Sequence, residues 1–223
     1  MSASQKHLPH PYRRNLAWFG FQMILKLTFP LLFRYRSRNR ERVPKTTGGL
    51  ILSNHQSYLD PMLIGLPISR PISYIARENL FRIPLLGTIL RMCYVIPINR
   101  DSAGTESVRK AVQRMNAGFL VGIFPEGTRS ADGKLGEIKP GFVALARRAQ
   151  QPIYPVGIAG ADRAMPKGGL IVYPKKIRVI FGEPIPAEKV IQLAKKGNEE
   201  EFLKLIHTRL QECLDEANAW CES

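Results

Sequence analysis

The sequence contains few cysteines, few histidines and few acidic residues. Its three cysteines, Cys93, Cys213 and Cys221, include no pair at CxxC spacing, and an odd number does not suit a disulfide framework. The histidines are scattered and have no companions at the spacing of metal ligands. We therefore expect a reducing compartment and no metal site. The sequence also lacks internal repeats and low-complexity segments, which argues against a repeat architecture.

Basic residues outnumber acidic ones, with 33 Lys and Arg against 18 Asp and Glu and a net charge of +15. Such an excess predicts an anionic partner, which could be phospholipid headgroups, nucleic acid, or a phosphorylated or CoA-linked substrate. Because no basic-aromatic binding motif accompanies the charge, we expect no nucleic-acid partner. The 223 residues, 44% of them hydrophobic, suffice for one domain with a large core, with or without a terminal extension.

Long hydrophobic runs are also lacking. As a helix, the apolar stretch from Leu16 to Phe33 would span about 27 Å, less than the roughly 30 Å of a bilayer core. Lys26 lies inside this stretch and Pro30 interrupts its last turn, so a transmembrane span is not predicted. Asn15, Gln22 and Lys26 fall at i, i+7 and i+11, which predicts one narrow polar stripe on an otherwise apolar helix.

This pattern is typical of an amphipathic helix that lies in the membrane interface, and the alternative is a helix packed on the domain's own core. The segment Arg34 to Lys45 follows with five arginines, one lysine and a single acid, Glu41. A basic run beside an apolar helix suits an anionic leaflet, at about 1 kcal/mol per charge near the surface. The alternative for this segment is a solvated loop. Residues 1–14 are polar, and we expect them to form a mobile lead-in.

After residue 45 the chain alternates short apolar runs with helical patterns. An apolar run at Leu50 to Leu52 reads as a first buried strand. Further strands are predicted at Ile72 to Ala76, Tyr94 to Ile98, Phe119 to Phe124, Ile153 to Ile158 and Ile177 to Phe181. Such alternation predicts an α/β fold with a mostly parallel sheet flanked by helices.

His55 follows the first of these strands, at the edge where open α/β sheets place their ligands. On a regular helix His55 and Asp60 would lie about 140° apart. With His55 in a loop and Asp60 in the first helical turn, the carboxylate can fold back to the imidazole. An Asp that accepts one ring N–H fixes the tautomer and leaves the other nitrogen free to take a proton. No serine or cysteine is obviously paired with it, so the substrate's hydroxyl would be the nucleophile. A histidine satisfied by a helix cap is the alternative.

The stretch Phe124 to Ser130, FPEGTRS, follows another predicted strand. Glu126 can accept a hydrogen bond from a substrate hydroxyl, Gly127 lets a ligand approach the backbone, and Arg129 offers a planar fork to phosphate oxygens. Arg100 ends the run YVIPINR, also at a carboxyl strand end. A tight turn with a surface arginine is the alternative for FPEGTRS.

These motifs together resemble the glycerolipid acyltransferases, and the 1-acylglycerol-3-phosphate acyltransferases match best. The sequence NHQSYLD resembles the family's NHx4D motif, Arg100 its second block, FPEGTRS its third and Ile153 to Val156 its proline-containing fourth. The resemblance covers roughly residues 45–185. A second proline common in the fourth block is missing, which puts that block's part in acyl-chain placement in question.

The resemblance implies a catalytic pair in which His55 is the general base and Asp60 orients it. Arg100 and Arg129 would bind the acceptor phosphate, and Glu126, Gly127 and Thr128 would complete the acceptor site. The implied fold has this site near the membrane face. The implied domain division is a lead, interface helix and basic segment in residues 1–45 and an acyltransferase catalytic domain in residues 46–223.

We therefore expect a membrane-associated acyltransferase at the cytoplasmic face, bound peripherally to an anionic phospholipid membrane. It would move a fatty acyl group from acyl-CoA or acyl carrier protein, as co-substrate and without a cofactor, to the hydroxyl of 1-acylglycerol-3-phosphate. The product would be phosphatidic acid. Another lysolipid or glycerol phosphate as acceptor would suit the same motifs. A non-catalytic membrane-binding protein and a thioester hydrolase are further alternatives.

Overall fold

The computed structural model describes residues 16–98 and 105–223. The strands in this part of the chain are β1 (Arg36–Arg38), β2 (Gly49–Ser53), β3 (Ile72–Arg77), β4 (Ile96–Ile98), β5 (Leu120–Ile123), β6 (Ile153–Ala159) and β7 (Arg178–Phe181). The helices are α1 (Leu16–Phe33), α2 (Asp60–Gly65), α3 (Leu86–Met92), α4 (Thr105–Asn116), α5 (Gly141–Ala149), α6 (Ala161–Ala164), α7 (Ala187–Leu193) and α8 (Glu199–Glu222).

The strands form one sheet in the order β1-β7-β6-β2-β5-β3-β4. Strands β6, β2, β5, β3 and β4 are all parallel to one another, whereas β7 runs antiparallel to β6 and carries β1 parallel to itself. The predicted α/β fold with a mostly parallel sheet is therefore confirmed. Strand β4 is shorter than predicted because Tyr94 turns with a φ of 59° before the strand begins.

Strand β2 lies at the centre of the sheet and is buried on both faces. Ile51 packs into the cluster formed with α1 and α2, while Leu50 and Leu52 pack into the cluster formed with α4, α5, α7 and α8. Successive strand residues point to opposite faces, so an uninterrupted apolar run is the pattern of a sheet covered by helices on both sides.

Helix α1 has the predicted bounds, but one residue of the predicted polar stripe, Gln22, does not face outward. Gln22 is buried against the core, where its side-chain amide donates to the carbonyl of Ile68 at 2.6 Å. Leu25, Phe29 and Phe33 are buried on the same face. Lys26 is exposed, and Asn15 lies outside the described residues. The helix thus packs on the domain through this apolar face, as in the alternative. The hydrogen bond to Ile68 satisfies the Gln22 amide that is buried with it.

The opposite face of α1 is apolar and exposed. Ile24, Leu27 and Leu31 expose 60%, 65% and 85% of their surface. A contiguous exposed apolar face of this kind usually marks an interaction surface. Among the described helices, none combines the length and apolar character needed to cross a membrane.

The basic segment after α1 is not simply a loop. Residues Arg36–Arg38 form the edge strand β1, which pairs with β7, and a 3-10 turn follows at Arg40–Arg42. Arg36 and Arg38 are exposed on this outermost strand, so their charges lie at the side of the sheet. Through β1 and α1, residues 16–45 share the sheet and core of the rest of the chain. The predicted lead-in lies outside the described residues.

Candidate active site

The loop after β2 is fixed by a side chain that continues the strand pairing. Asn54 is buried, and its side-chain amide donates to the carbonyl of Ile158 at 2.9 Å and accepts from the N–H of Ile158 at 2.8 Å. This double hydrogen bond ties the loop to β6. The next residue, His55, is thereby held at the carboxyl edge of the sheet.

Asp60 folds back onto His55, as predicted. Its Oδ2 lies 2.7 Å from Nδ1 of the His55 ring and also accepts from the N–H groups of Gln56 at 2.7 Å and Ser57 at 2.8 Å. Asp60 is the first residue of α2 and Pro61 follows it, so the helix start sets the position of the carboxylate. A ring whose Nδ1 donates to Asp60 presents its Nε2 lone pair as a proton acceptor.

Burial opposes the charge that Asp60 needs in order to orient the ring. The side chain is fully buried, and this burial raises the pKa of the carboxyl group, while the bond to His55 and the two backbone N–H donors act in the opposite direction. The His55 side chain is 19% exposed. The imidazole can therefore reach a ligand while its partner stays out of water.

The His55 ring stacks on Phe124, which stacks in turn on Tyr74. Its centroid lies 4.0 Å from that of Phe124, with the two ring planes nearly parallel at 14°, and Phe124 in turn stacks on Tyr74 at 5.7 Å. Tyr74 is opposite Gly122 in the β3–β5 pair. A Cβ at Gly122 would lie 2.3 Å from the Tyr74 ring, so glycine is required there for the stack to form.

Glu126 fastens the FPEGTRS loop to the histidine loop. Its Oε1 accepts from the backbone N–H of His55 at 2.7 Å and its Oε2 from the N–H of Gly136 at 2.8 Å. The N–H of Ser130 donates to the carbonyl of His55 at 2.7 Å. Burial raises the pKa of Glu126, and the two backbone donors act against that rise. Both carboxylate oxygens are thus already bonded within the protein, and acceptance from a substrate hydroxyl stays a prediction.

A groove of about 470 Å³ lies beside these loops. Thr128, Arg129, Lys134 and Lys139 are among its lining residues. Gly127 and Thr128 are exposed, and Gly127 has a φ of 69°, a conformation that favours glycine.

Arg129 is held in this groove with part of its donor capacity unused. Its guanidinium lies 3.6 Å from the ring centroid of Tyr58, and its buried Nη1 has no hydrogen-bond partner. A buried guanidinium donor without a partner is costly unless an anion reaches it. The arrangement therefore places a guanidinium with an unused donor next to the loop that carries His55.

The structure brings together His55, Asp60, Glu126, Gly127, Thr128 and Arg129. Arg100 lies outside the described residues, so its predicted contact with the acceptor phosphate stays a prediction.

Within residues 16–98 and 105–223, no group of histidine, cysteine and acidic side chains could hold a metal ion.

Sequence reasoning missed the residues that support the histidine. Asn54 was visible in its motif, but its two bonds to β6 depend on a strand about a hundred residues later. Tyr74 and Gly122 are ordinary strand residues in the sequence, and only the register of β3 with β5 makes them neighbours. Phe124 could have been suspected from its place directly after a strand, in the same motif as Glu126.

The chain is similar to known acyltransferases in a family model, in curated sequences and in a solved structure. A model described as Acyltransferase matches residues 34–159, which is 126 of the 223 residues. The chloroplastic 1-acyl-sn-glycerol-3-phosphate acyltransferase LPAT1 of Arabidopsis thaliana is 29% identical over 183 residues, covering 80% of this chain and 51% of that protein. The chain thus spans about half the length of that relative.

Two bacterial proteins match over more of their length. The 1-acyl-sn-glycerol-3-phosphate acyltransferase of Bacillus subtilis is 27% identical over 190 residues, covering 84% of this chain and 92% of that protein. The crystal structure of the 1-acyl-sn-glycerophosphate acyltransferase PlsC from Thermotoga maritima superimposes with a TM-score of 0.77 at 26% identity. The superposition covers 90% of this chain and 79% of the Thermotoga chain.

Proposed function

Since this chain belongs to the acyltransferase family, we propose that it transfers a fatty acyl group from an acyl thioester to the free hydroxyl of 1-acylglycerol-3-phosphate. The product is phosphatidic acid and the leaving group is the thiol of CoA or of acyl carrier protein. The names of the relatives from Arabidopsis and Bacillus support this acceptor. The net charge of +15 would attract either donor, since both carry negative charge.

In the proposed reaction Nε2 of His55 takes the proton of the acceptor hydroxyl. The oxygen attacks the thioester carbonyl carbon, the new ester C–O bond forms, and the C–S bond breaks as the tetrahedral intermediate collapses. The departing thiolate receives the proton that His55 took, so the base is regenerated. Asp60 keeps the ring in the tautomer with Nδ1–H and stabilises the imidazolium while it carries the proton.

The observation that carries this proposal is the bonding of the His55 ring. Among the described residues the one hydrogen bond of the ring goes to Asp60, so none of their hydroxyl or thiol groups is aligned with the ring as a nucleophile. A general base without a protein nucleophile suits direct attack by a substrate hydroxyl. A water molecule could take the same place and give hydrolysis, which the experiment below separates.

The test is thiol release from palmitoyl- or oleoyl-CoA by the purified protein in detergent micelles, with and without 1-acylglycerol-3-phosphate. We expect release that requires the acceptor and yields phosphatidic acid. Release that is equal without acceptor would identify a thioester hydrolase. If CoA donors fail, acyl carrier protein donors and other lysolipid acceptors are tested. Failure of all of these would favour a non-catalytic protein.

Arg129 should determine affinity for a phosphorylated acceptor. A charge-assisted hydrogen bond contributes about 1.5–3 kcal/mol, so Arg129→Ala should raise the KM for 1-acylglycerol-3-phosphate by roughly tenfold to a hundredfold. The KM for unphosphorylated 1-acylglycerol should change little. Arg148→Ala, which removes an exposed arginine of α5, is the matched control. An equal loss with both acceptors would contradict this assignment.

We further propose that the protein associates peripherally with the cytoplasmic face of an anionic membrane through α1. The exposed residues Ile24, Leu27 and Leu31 would enter the interface, and the buried face would hold the helix on the domain. This attachment would bring lysolipid acceptors, which reside in the membrane, to the catalytic edge of the sheet.

Replacing Ile24, Leu27 and Leu31 together by serine should weaken vesicle binding by about tenfold or more, because each apolar side chain loses favourable burial in lipid. The buried face of α1 is untouched, so the melting temperature should stay near that of the wild type. Ile191→Ser on α7 serves as the control for loss of an exposed apolar residue elsewhere. Unchanged vesicle sedimentation would show that another surface attaches the protein.

A further inference from the structure

A second cationic site lies at the same end of the central strands as His55, the carboxyl ends of β2 and β6. Ala159, the last residue of β6, pairs with Arg178 of β7, and Arg178 is in register with Arg36 of β1. Since β6 and β2 are parallel and in register, the carboxyl end of β6 stands beside the carboxyl end of β2. The cleft at this place, here called the basic cleft, has a volume of about 450 Å³. It is lined by Pro30, Arg34, Tyr35, Arg36 and Arg178.

Within the part of the chain that the structure describes, no carboxylate neutralises the charge of the basic cleft. Among the described residues, Arg34, Arg36 and Arg178 form no ion pair with any carboxylate. Residues 1–15 of the sequence contain no Asp or Glu, so that segment can bring no counter-charge. Three arginines in one cleft without an acid repel one another and attract an anion.

Arg178 is buried and keeps one N–H donor without a hydrogen-bond partner. The residue is 6% exposed, and its Nη1 donates to the carbonyls of Arg34 at 2.5 Å and Ile177 at 2.9 Å. Its buried Nε has no hydrogen-bond partner. The guanidinium also lies 4.9 Å from the ring centroid of Trp220. A buried, oriented guanidinium with an unused donor is a ready partner for phosphate oxygens.

The basic cleft adjoins the exposed apolar face of α1. Pro30 lines the cleft, and its helical neighbours Leu27 and Leu31 are exposed. A cationic cleft at the end of an apolar surface matches an amphiphile that has an anionic head and hydrocarbon chains. A free phosphate or a nucleotide would have no use for the apolar part.

We propose that the basic cleft binds the phosphate group of an anionic phospholipid, whose acyl chains lie along the exposed face of α1. The site is separate from the acceptor groove of Arg129. It rests on the proposed membrane association but not on acyl transfer, since it needs no reaction at His55. Its effect would be to set the orientation of the catalytic edge relative to the lipid surface.

The test compares two doubly substituted full-length proteins. Arg34→Asn with Arg36→Gln removes two charges of the basic cleft and spares buried Arg178. Asparagine is chosen because Arg34 has a φ of 44°, which asparagine tolerates. Arg148→Gln with Lys204→Gln removes the same charge from exposed positions on α5 and α8. Binding is measured to vesicles of phosphatidylcholine alone and with phosphatidic acid or phosphatidylglycerol, and emission from Trp220 reports occupation of the cleft.

We expect binding to the anionic vesicles to fall about tenfold more in the cleft variant than in the control variant, with binding to phosphatidylcholine vesicles unchanged. A change in emission on anionic vesicles should be lost in the cleft variant and in Trp220→Phe. Equal weakening of the two variants would overturn the proposal in favour of diffuse charge attraction. A full emission change with sodium phosphate alone would overturn the lipid as ligand.

Absence of binding to every vesicle would overturn both the cleft and the proposed membrane association. Acyl transfer measured in detergent micelles would be unaffected by that outcome, so failure of the cleft and failure of the proposed reaction are distinguishable.

Discussion

His55→Ala should reduce acceptor-dependent thiol release by about 10²–10⁴-fold, the usual contribution of a positioned general base. The reason is geometric, since the ring is the group that Asp60 orients at the carboxyl edge of the sheet. The measurement is turnover of oleoyl-CoA with 1-acylglycerol-3-phosphate in detergent micelles. His207→Ala, at an exposed position of α8, is the control for loss of a histidine. Unchanged turnover in His55→Ala would remove the base from the mechanism.

Loss of the ring also removes a contact of Phe124 and a hydrogen bond of Asp60, so activity alone would not separate catalysis from folding. Two further measurements do so. The melting temperature and vesicle binding of His55→Ala should show a folded, membrane-binding protein. Added imidazole should restore part of the activity, because it can enter the space beside Phe124 and act as the base. A merely structural histidine would give no such recovery.

Asp60→Asn should lower turnover by a factor on the order of 10²–10⁴ while leaving the protein folded. An asparagine amide can donate to Nδ1 of His55, which would stabilise the tautomer whose proton is on Nε2 and block its function as base. The KM for the acceptor should change little, because Asp60 is fully buried and does not contact the groove. Asp215→Asn, which changes an exposed acid of α8 away from the groove, is the control.

The stability of Asp60→Asn provides a second readout with a definite sign. Burial raises the pKa of Asp60 above its ordinary value of 3.8, so the folded state binds this proton more tightly than the unfolded chain does. Stability therefore falls as pH rises through the window between 3.8 and the raised pKa, and the ionised carboxylate costs stability at neutral pH. Asp60→Asn lacks this cost, so its melting temperature relative to the wild type should rise across that window. A falling difference would show that the hydrogen bonds of Asp60 outweigh its burial.

Local sequence determined the contact between His55 and Asp60 to a large extent. His55 and Asp60 are five residues apart, and a strand end followed by a proline-initiated helix leaves few ways to connect them. The short distance along the chain therefore fixed their contact. The same holds for the bounds of α1 and for most strands, whose apolar runs have lengths and flanking turn residues that specify them.

The tertiary structure decided what distant parts of the chain do for one another. Both faces of α1 are largely apolar, so the sequence pattern could not select the buried one. Gln22 faces the core because backbone carbonyls at and just after the end of α2, some forty residues later, accept its amide hydrogens. The edge strand β1 likewise exists because β7, about 140 residues away, offers it unpaired backbone groups.

The supports of the site follow the same rule. Sequence by itself determined the chemistry of the His55 edge, because each motif carries its reactive groups within a few residues. Only the tertiary structure decided that Tyr74, Phe124 and His55 stack, and that Arg34 and Arg178 share one cleft. These contacts depend on strand order and register, which arise from burial of both sheet faces across the whole domain rather than from any local sequence.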